Sequence, residues 1–249
     1  MRRALIMGYA LVSYLLFLGV FLWFVGFLAD VPFVPTTVER GIAAPAGKAL
    51  AIDLGLIALF GFQHTFMARA GFKRAWTRVV TPPAERATYV LIASLTLGLM
   101  MLAWHPIEGA IWDLRAASVA PVLWAAFGIG WVVLLTSTFL LNHFELFGLQ
   151  QAWQGGDDGK FQAPQMRVPL FYKVVRHPLY LGFVIALWAT PYMSYGHLVV
   201  AAGLTVYILI GIMHEERDLV ALFGRDYEDY RSRVGMLIPG LGRRGSPAA

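Results

Sequence analysis

The sequence predicts an all-α protein, a polytopic membrane helix bundle with four full spans and a C-terminal helical hairpin, five to six crossings in total. Three observations predict it. Only 14% of the 249 residues are charged and 58% are apolar, whereas a soluble globular domain carries roughly 25% charged residues. The apolar residues fall in long blocks at 4–29, 50–67, 87–104 and 119–141, each near the roughly 20 residues that cross a bilayer. A fifth block, 179–213, is too long for one ordinary span and is broken at Thr190-Pro191-Tyr192-Met193-Ser194-Tyr195-Gly196. It reads as a hairpin whose first arm is short, and a re-entrant or oblique arm brings the count to five.

The first block follows Arg2 and Arg3 and is longer than the ~7–15 apolar residues of a signal peptide, with no convincing small-residue cleavage site. It is expected to stay as the first span. Basic residues collect on the cytoplasmic side of spans. Arg2 and Arg3, the loop with Arg69, Lys73, Arg74, Arg78 and Arg86, the loop with Lys160, Arg167, Lys173 and Arg176, and the tail from Arg217 to Arg244 all fall on one side of a six-crossing scheme. Only Arg40, Lys48 and Arg115 lie in the alternate loops. Both termini are therefore expected to be cytoplasmic, in a multi-pass membrane protein. The net charge of +5 follows from this topology and from contact with anionic lipid. No basic face interleaved with aromatics speaks for nucleic acid, and no obligate protein partner is evident.

Residues 1–249 read as a single domain. The longest polar insert, roughly 148–170, carries the turn-rich tip Gly155-Gly156-Asp157-Asp158-Gly159. After Met213 the chain turns amphipathic. Leu219, Leu222, Phe223, Tyr227 and Tyr230 keep a helical period that breaks at Gly224. Residues 214–242 are expected to continue the last span and then fold back along the membrane surface. The segment from Arg243 to Ala249 is expected to be disordered.

Ionisable groups at membrane depth are costly and mark functional sites. Arg176-His177-Pro178-Leu179-Tyr180-Leu181-Gly182 stands where the chain re-enters the membrane. The plain alternative is an interfacial anchor, with a snorkelling Arg and a helix-starting Pro. The functional reading is an anion or carboxylate site at a helix N-terminus. Tyr180 adds a hydroxyl and a ring face, and Gly182 admits a flat ligand or a neighbouring helix. Glu215 and Glu216 follow Met213. Their plain reading is a solvated helix end, but carboxylates at a C-terminus oppose the helix dipole. In a hairpin the two clusters face each other. Together they suit a carboxylate, an ammonium and a ribose diol, the groups of an amino-acid nucleotide such as S-adenosylmethionine.

Two further polar groups end spans on the same side, Gln63-His64 and Asn142-His143. Each alone is ordinary interfacial decoration; four on one side argue for a shared site near the cytoplasmic face. His214-Glu215-Glu216 lacks the second His of a zinc helix. With no cysteine, disulfides, a thiolate nucleophile and thiolate-held metals are excluded, and no metal is expected. No Gly-x-Gly-x-x-Gly follows a strand.

The Arg176–Gly182 block, the apolar arm pair, Glu215-Glu216 and the continuation through Leu219, Phe223, Gly224, Tyr227 and Tyr230 resemble the C-terminal pattern of integral-membrane methyltransferases, which include isoprenylcysteine carboxyl methyltransferases and phospholipid N-methyltransferases. The resemblance implies that Arg176, His177, Pro178, Tyr180 and Gly182 frame S-adenosyl-L-methionine from one side and Glu215 and Glu216 from the other, with residues 214–242 closing the cofactor site. The blocks Phe62–Arg69 and Leu140–Gln151 look like the bacterial methanethiol S-methyltransferases. They are also similar to NnrU-type membrane proteins associated with nitrite and nitric oxide reduction. The resemblance implies methyl transfer to methanethiol, a small volatile thiol, giving dimethyl sulfide. In-line transfer requires reacting atoms about 3–3.5 Å apart and a thiolate, which a His base supplies near neutral pH. His143 is preferred as base, with Asn142 beside it to orient a ring or ligand. His64 is the alternative. The acceptor pocket is expected to be small, dry and lined by residues such as Phe62, Phe66, Phe139 and Phe144. The rival readings are a lipid-amine or isoprenylcysteine methyltransferase with an open lateral groove, a sterol reductase using a dinucleotide, and a non-enzymatic NnrU-like factor whose clusters are structural ion pairs.

Overall fold

A computed structural model of the chain describes residues 2–155 and 166–241. The apolar blocks form α1 (Arg2–Leu28), α2 (Ala46–Ala68), α4 (Pro82–Leu102), α5 (Ala120–Leu141) and α9 (Tyr195–Phe223). These five helices are long and apolar enough to cross a membrane. Short elements fill the gaps: α3 (Ala70–Trp76), β1 (Ala110–Asp113), α6 (His143–Leu146), α7 (Leu149–Gln154), a 3-10 turn (Leu170–Lys173), α8 (Pro178–Trp188), β2 (Tyr192–Ser194) and α10 (Arg225–Arg233). Prolines start α4, α5 and α8, where the missing N–H costs nothing. Ser194 caps α9 by accepting from the His197 N–H at 2.9 Å.

The hairpin of the sequence reading is asymmetric. Helix α8 has 11 residues, about 16 Å of rise, half of an apolar layer roughly 30 Å thick. It stops before Thr190-Pro191, and the chain then pairs β2 antiparallel with β1. Among the described residues there are therefore five full-length helices and one half-length arm. Helix α9 has 29 residues, about 43 Å, and outruns the layer. Glu215 and Glu216 thus lie inside α9, ahead of its end at Phe223. The helix-dipole objection to a plain role for them falls away, because no free carbonyls are near them.

Helix α1 packs on α4, α2 on α4 and α9, and α5 on α8. The core between them is aromatic and sulfur-rich, with Phe21, Phe24, Phe27, Met100, Met101, Trp104, Phe127 and Trp131 buried together. Helices α5 and α8 cross at two glycines. A Cβ on Gly182 would stand 2.6 Å from the Gly130 carbonyl oxygen and 2.7 Å from the Leu134 nitrogen, and one on Gly130 would stand 2.8 Å from the Ala186 nitrogen. The pairing of Gly182 with Leu134 and of Ala186 with Gly130 makes the two helices antiparallel. It sets the Arg176–Pro178 entrance level with the Thr138–His143 end of α5.

The polar insert begins as structure rather than as loop. Gly148, at φ 86°, lets the chain reach α4 so closely that a Cβ would meet the Ala87 nitrogen at 2.6 Å. Helix α7 then buries Leu149 and Ala152 against Ala10 and Ala87. Gly156–Gly159 of the expected tip, and the expected disordered end, fall outside the described residues. Gly224, at φ 56°, ends α9 and turns the chain into α10, as the break in the apolar period predicts.

Candidate functional site at one end of the bundle

Arg176 precedes α8, and Glu216 lies one turn beyond the apolar part of α9. Helix packing brings them together. Arg176 Nε donates to Glu216 Oε1 at 2.7 Å, with both side chains largely out of solvent. His177 Nε2 lies 3.1 Å from the same oxygen, and its Nδ1 lies 3.9 Å from Glu215 Oε2. The Glu215 side chain stays 44% exposed, so it keeps acceptor capacity toward a ligand. Arg176 also donates to the carbonyls of Val234 at 2.5 Å and Arg231 at 3.2 Å, where its charge suits the C-terminus of α10.

The tail is laced to this cluster through the backbone. Arg176 N–H donates to Gly235 O at 2.8 Å, and His177 N–H to Met236 O at 3.2 Å. Tyr230 of α10 donates to the Tyr172 carbonyl at 2.6 Å. Burial, partly offset by the Arg176 charge, pushes this hydroxyl up to about 12, so it remains a donor at neutral pH. Tyr227 is 3% exposed and its hydroxyl has no partner among the described residues. Burial, aided by nearby Glu216, holds that hydroxyl protonated. An unpartnered donor beside Arg176 and two carboxylates is what a polar ligand would satisfy.

Pro178 is buried at the start of α8. Tyr180 lies within electrostatic reach of Glu215, Tyr207 and Tyr89. Of the two openings foreseen at Gly182, flat ligand or neighbouring helix, the structure has the helix: α5 occupies the space where a ligand face would lie.

His143 sits apart from this cluster. Asn142 ends α5 in the left-handed region, at φ 119°, which Asn tolerates better than most residues. It caps α6 through the Glu145 N–H and donates to Glu145 Oε2 at 2.9 Å and Gln150 Oε1 at 2.7 Å. Asn142, expected to orient a ring or a ligand, does not hold the His143 ring; Tyr14 and Thr138 do. Tyr14 Oη lies 2.8 Å from Nε2 and Thr138 Oγ1 lies 2.8 Å from Nδ1. Thr138 donates its own proton to Leu135 O at 2.7 Å. We therefore assign Nδ1–H to donate to Thr138 and Nε2 to accept from Tyr14. The ring stacks on Phe139 at 4.2 Å and 4° and meets Phe144 edge-on. Burial holds its pKa below the ordinary histidine value.

His64 has a different environment. Its ring lies between Phe60, Tyr89 and Tyr207, with centroids at 5.4, 5.1 and 6.2 Å. Its Nδ1 is buried and unpartnered among the described residues. The structure thus brings all the sequence-chosen polar ends to one end of the bundle, in two groups. The clamp of Arg176, His177, Glu215 and Glu216 is joined by Tyr180 toward His64, and His143 is enclosed by α1 and α5. The four phenylalanines do not converge. Phe62 and Phe66 stack on each other at 5.4 Å but are 67% and 49% exposed on the outer face of α2. Phe139 and Phe144 pack on His143 and are also exposed outward. Sequence reasoning missed Tyr14, Thr138, Tyr89 and Tyr207, which lie within apolar runs and carry no local signal. It saw Tyr227 only as part of an apolar stripe.

A helical membrane protein with an Arg-His-Pro entrance clamped to a Glu-Glu pair on its last long helix is the class that fold and site define. The NnrU protein family matches residues 54–236, and the chain belongs to it. The chain is 48% identical over 239 residues to a protein named methanethiol S-methyltransferase from Mycobacterium tuberculosis, covering 96% of this chain and 98% of that one. It is 46% identical to methanethiol S-methyltransferase 1 of Bradyrhizobium diazoefficiens over 93% of this chain and 81% of the relative. It is 41% identical to the protein so named in Crocosphaera subtropica over 98% and 95%. A nurim homolog of Drosophila melanogaster is 30% identical over 64% of this chain and 66% of its own. No solved structure matches the chain.

Proposed function

We propose that this protein is an integral-membrane methyltransferase that moves a methyl group from S-adenosyl-L-methionine to the sulfur of methanethiol, giving dimethyl sulfide and S-adenosylhomocysteine. The observation that carries the reading is identity of 41–48% over nearly the whole chain to several proteins named for that activity. The methyl donor is consumed, so it is a co-substrate. The residues present suit it. Arg176 keeps its second terminal nitrogen, Nη2, for the carboxylate, the exposed Glu215 oxygens accept from an ammonium or ribose diol, and the unpartnered Tyr227 hydroxyl has a donor to give. The contacts of Arg231, Val234, Gly235 and Met236 with Arg176 and His177 support the reading of 214–242 as the segment that closes the site, within a single domain 1–249. The site faces the cytoplasm of a bacterial inner membrane, in keeping with the side on which Arg and Lys collect.

Calorimetry on the detergent-solubilised full chain tests the donor. S-adenosylhomocysteine is expected to bind in the micromolar range. Binding of a nicotinamide dinucleotide instead would overturn the reading. Membranes given a prenylated cysteine or an amino-lipid in place of the thiol are expected to show no methylation. Methylation of either, without dimethyl sulfide from methanethiol, would reassign the acceptor.

A further inference from the structure

We propose that the acceptor thiol sits in the aromatic box of Phe60, Tyr89 and Tyr207, and that His64, not His143, takes its proton. This assignment rests on the methyl-transfer reading above.

The unpartnered Nδ1 of His64 carries the argument. A buried polar nitrogen without a partner is costly to keep, and such atoms persist where a ligand completes them. The other two candidate histidines are engaged. His143 has Tyr14 on one nitrogen and Thr138 on the other, and His177 is held by Glu216. His64 has a free ring nitrogen facing ring surfaces, which suits a small apolar thiol because sulfur packs well against aromatic rings.

Placement gives the second support. Tyr207 lies eight residues before Glu215 on α9, about 12 Å along the axis. Tyr180 bridges the gap, within reach of Glu215, Tyr207 and Tyr89. A donor held by the clamp can extend its sulfonium toward the box along Tyr180. Arg86 gives the third support. Its guanidinium lies 4.9 Å over the Tyr89 ring and is fixed by a 2.7 Å bond to Leu146 O. It lies within electrostatic reach of His64. A fixed cation beside the box favours a thiolate over a thiol and equally opposes a standing imidazolium, so the proton taken by His64 is passed on rather than kept. The walls are also fixed: the Tyr207 ring rests on Gly61, where a Cβ would meet it at 2.8 Å.

The step balances as follows. The thiol proton passes to Nδ1 of His64. The sulfur electron pair forms the bond to the methyl carbon. The carbon–sulfur bond of the sulfonium breaks, its electron pair stays on the departing sulfur, and that sulfur becomes a neutral thioether. Dimethyl sulfide leaves, and the imidazolium returns its proton to water.

The test uses the full chain in membranes and in detergent. His64→Ala is expected to lower dimethyl sulfide formation about 100-fold, within the range for loss of an acid–base group. S-adenosylhomocysteine affinity is expected to stay within about twofold, which also shows that the variant folds. Raising the pH is expected to recover part of the lost rate, because more thiolate is then present without help. If His64→Ala fails to bind S-adenosylhomocysteine, His64→Asn is measured by the same readouts. An unchanged rate in a variant that binds, or a loss with no recovery at high pH, would overturn the assignment of His64. Wild-type membranes that bind S-adenosylhomocysteine but make no dimethyl sulfide would instead overturn the acceptor reading on which it rests.

Discussion

Gly182 and Gly130 meet backbone to backbone where α8 crosses α5, and neither position has room for a Cβ. This contact holds the Arg176–Pro178 entrance level with the end of α5. Adding even a methyl group must push the helices apart, and overpacking of this kind costs about 1–3 kcal/mol. Gly182→Ala is expected to lower the unfolding temperature in detergent by several degrees and to weaken S-adenosylhomocysteine binding. An unchanged unfolding temperature would show that the crossing is softer than its geometry implies.

Arg176 and Glu216 form a largely buried pair at 2.7 Å. Removing one partner leaves the other charge uncompensated, at a cost of about 3–5 kcal/mol. Arg176→Ala also frees the carbonyls of Arg231 and Val234. Proteolysis after Arg231 or Arg233 is therefore expected to accelerate in Arg176→Ala more than in Glu216→Gln. Both variants are expected to lose co-substrate affinity. Equal and wild-type-like proteolysis would detach the tail from the clamp.

Tyr227 separates a ligand role from a structural one. Its buried hydroxyl has no partner among the described residues, so Tyr227→Phe removes an unmet donor. The unliganded protein is expected to be as stable as wild type or more so. If the hydroxyl serves the co-substrate, S-adenosylhomocysteine affinity falls about tenfold, the size of one hydrogen bond. Lower stability with unchanged affinity would place a protein partner on that hydroxyl.

His143 predicts an acid sensitivity. Burial depresses its folded pKa below the unfolded value near 6.5. Below that unfolded value the unfolded state binds more protons than the folded one, so stability falls as pH drops through it and on toward the depressed folded value. Denaturant midpoints are expected to decline as pH falls through about 6.5, and less so in His143→Gln. Parallel pH profiles for the two proteins would remove His143 as the cause.

The spans were legible because about 20 consecutive apolar residues have few other uses. The break at Thr190-Pro191 announced a short arm. Its closure by β1 was not legible, since Ala110–Asp113 shows no alternating pattern long enough to mark a strand. The clamp was legible because Arg176, His177, Glu215 and Glu216 are charged or titratable residues at the edges of apolar blocks. The proposed acceptor surroundings were not. Choosing among Phe62, Phe66, Gly61 and His64 requires knowing which face of α2 meets α9. Gly61 lies under Tyr207 and His64 lies beside it, while Phe62 and Phe66 turn outward. Likewise Tyr14 and Thr138 hold His143 only because α1 and α5 converge there, which no local pattern shows.

Methyl transfer to methanethiol sulfur can be followed directly through the fate of the methyl group. The most direct measurement supplies membranes carrying the full chain with methanethiol and S-adenosylmethionine isotopically labelled in its methyl group, and analyses the headspace. Dimethyl sulfide with one labelled and one unlabelled methyl group is expected, absent from membranes lacking the chain. Unlabelled headspace, with the label recovered in lipid or in prenylated cysteine, would contradict it.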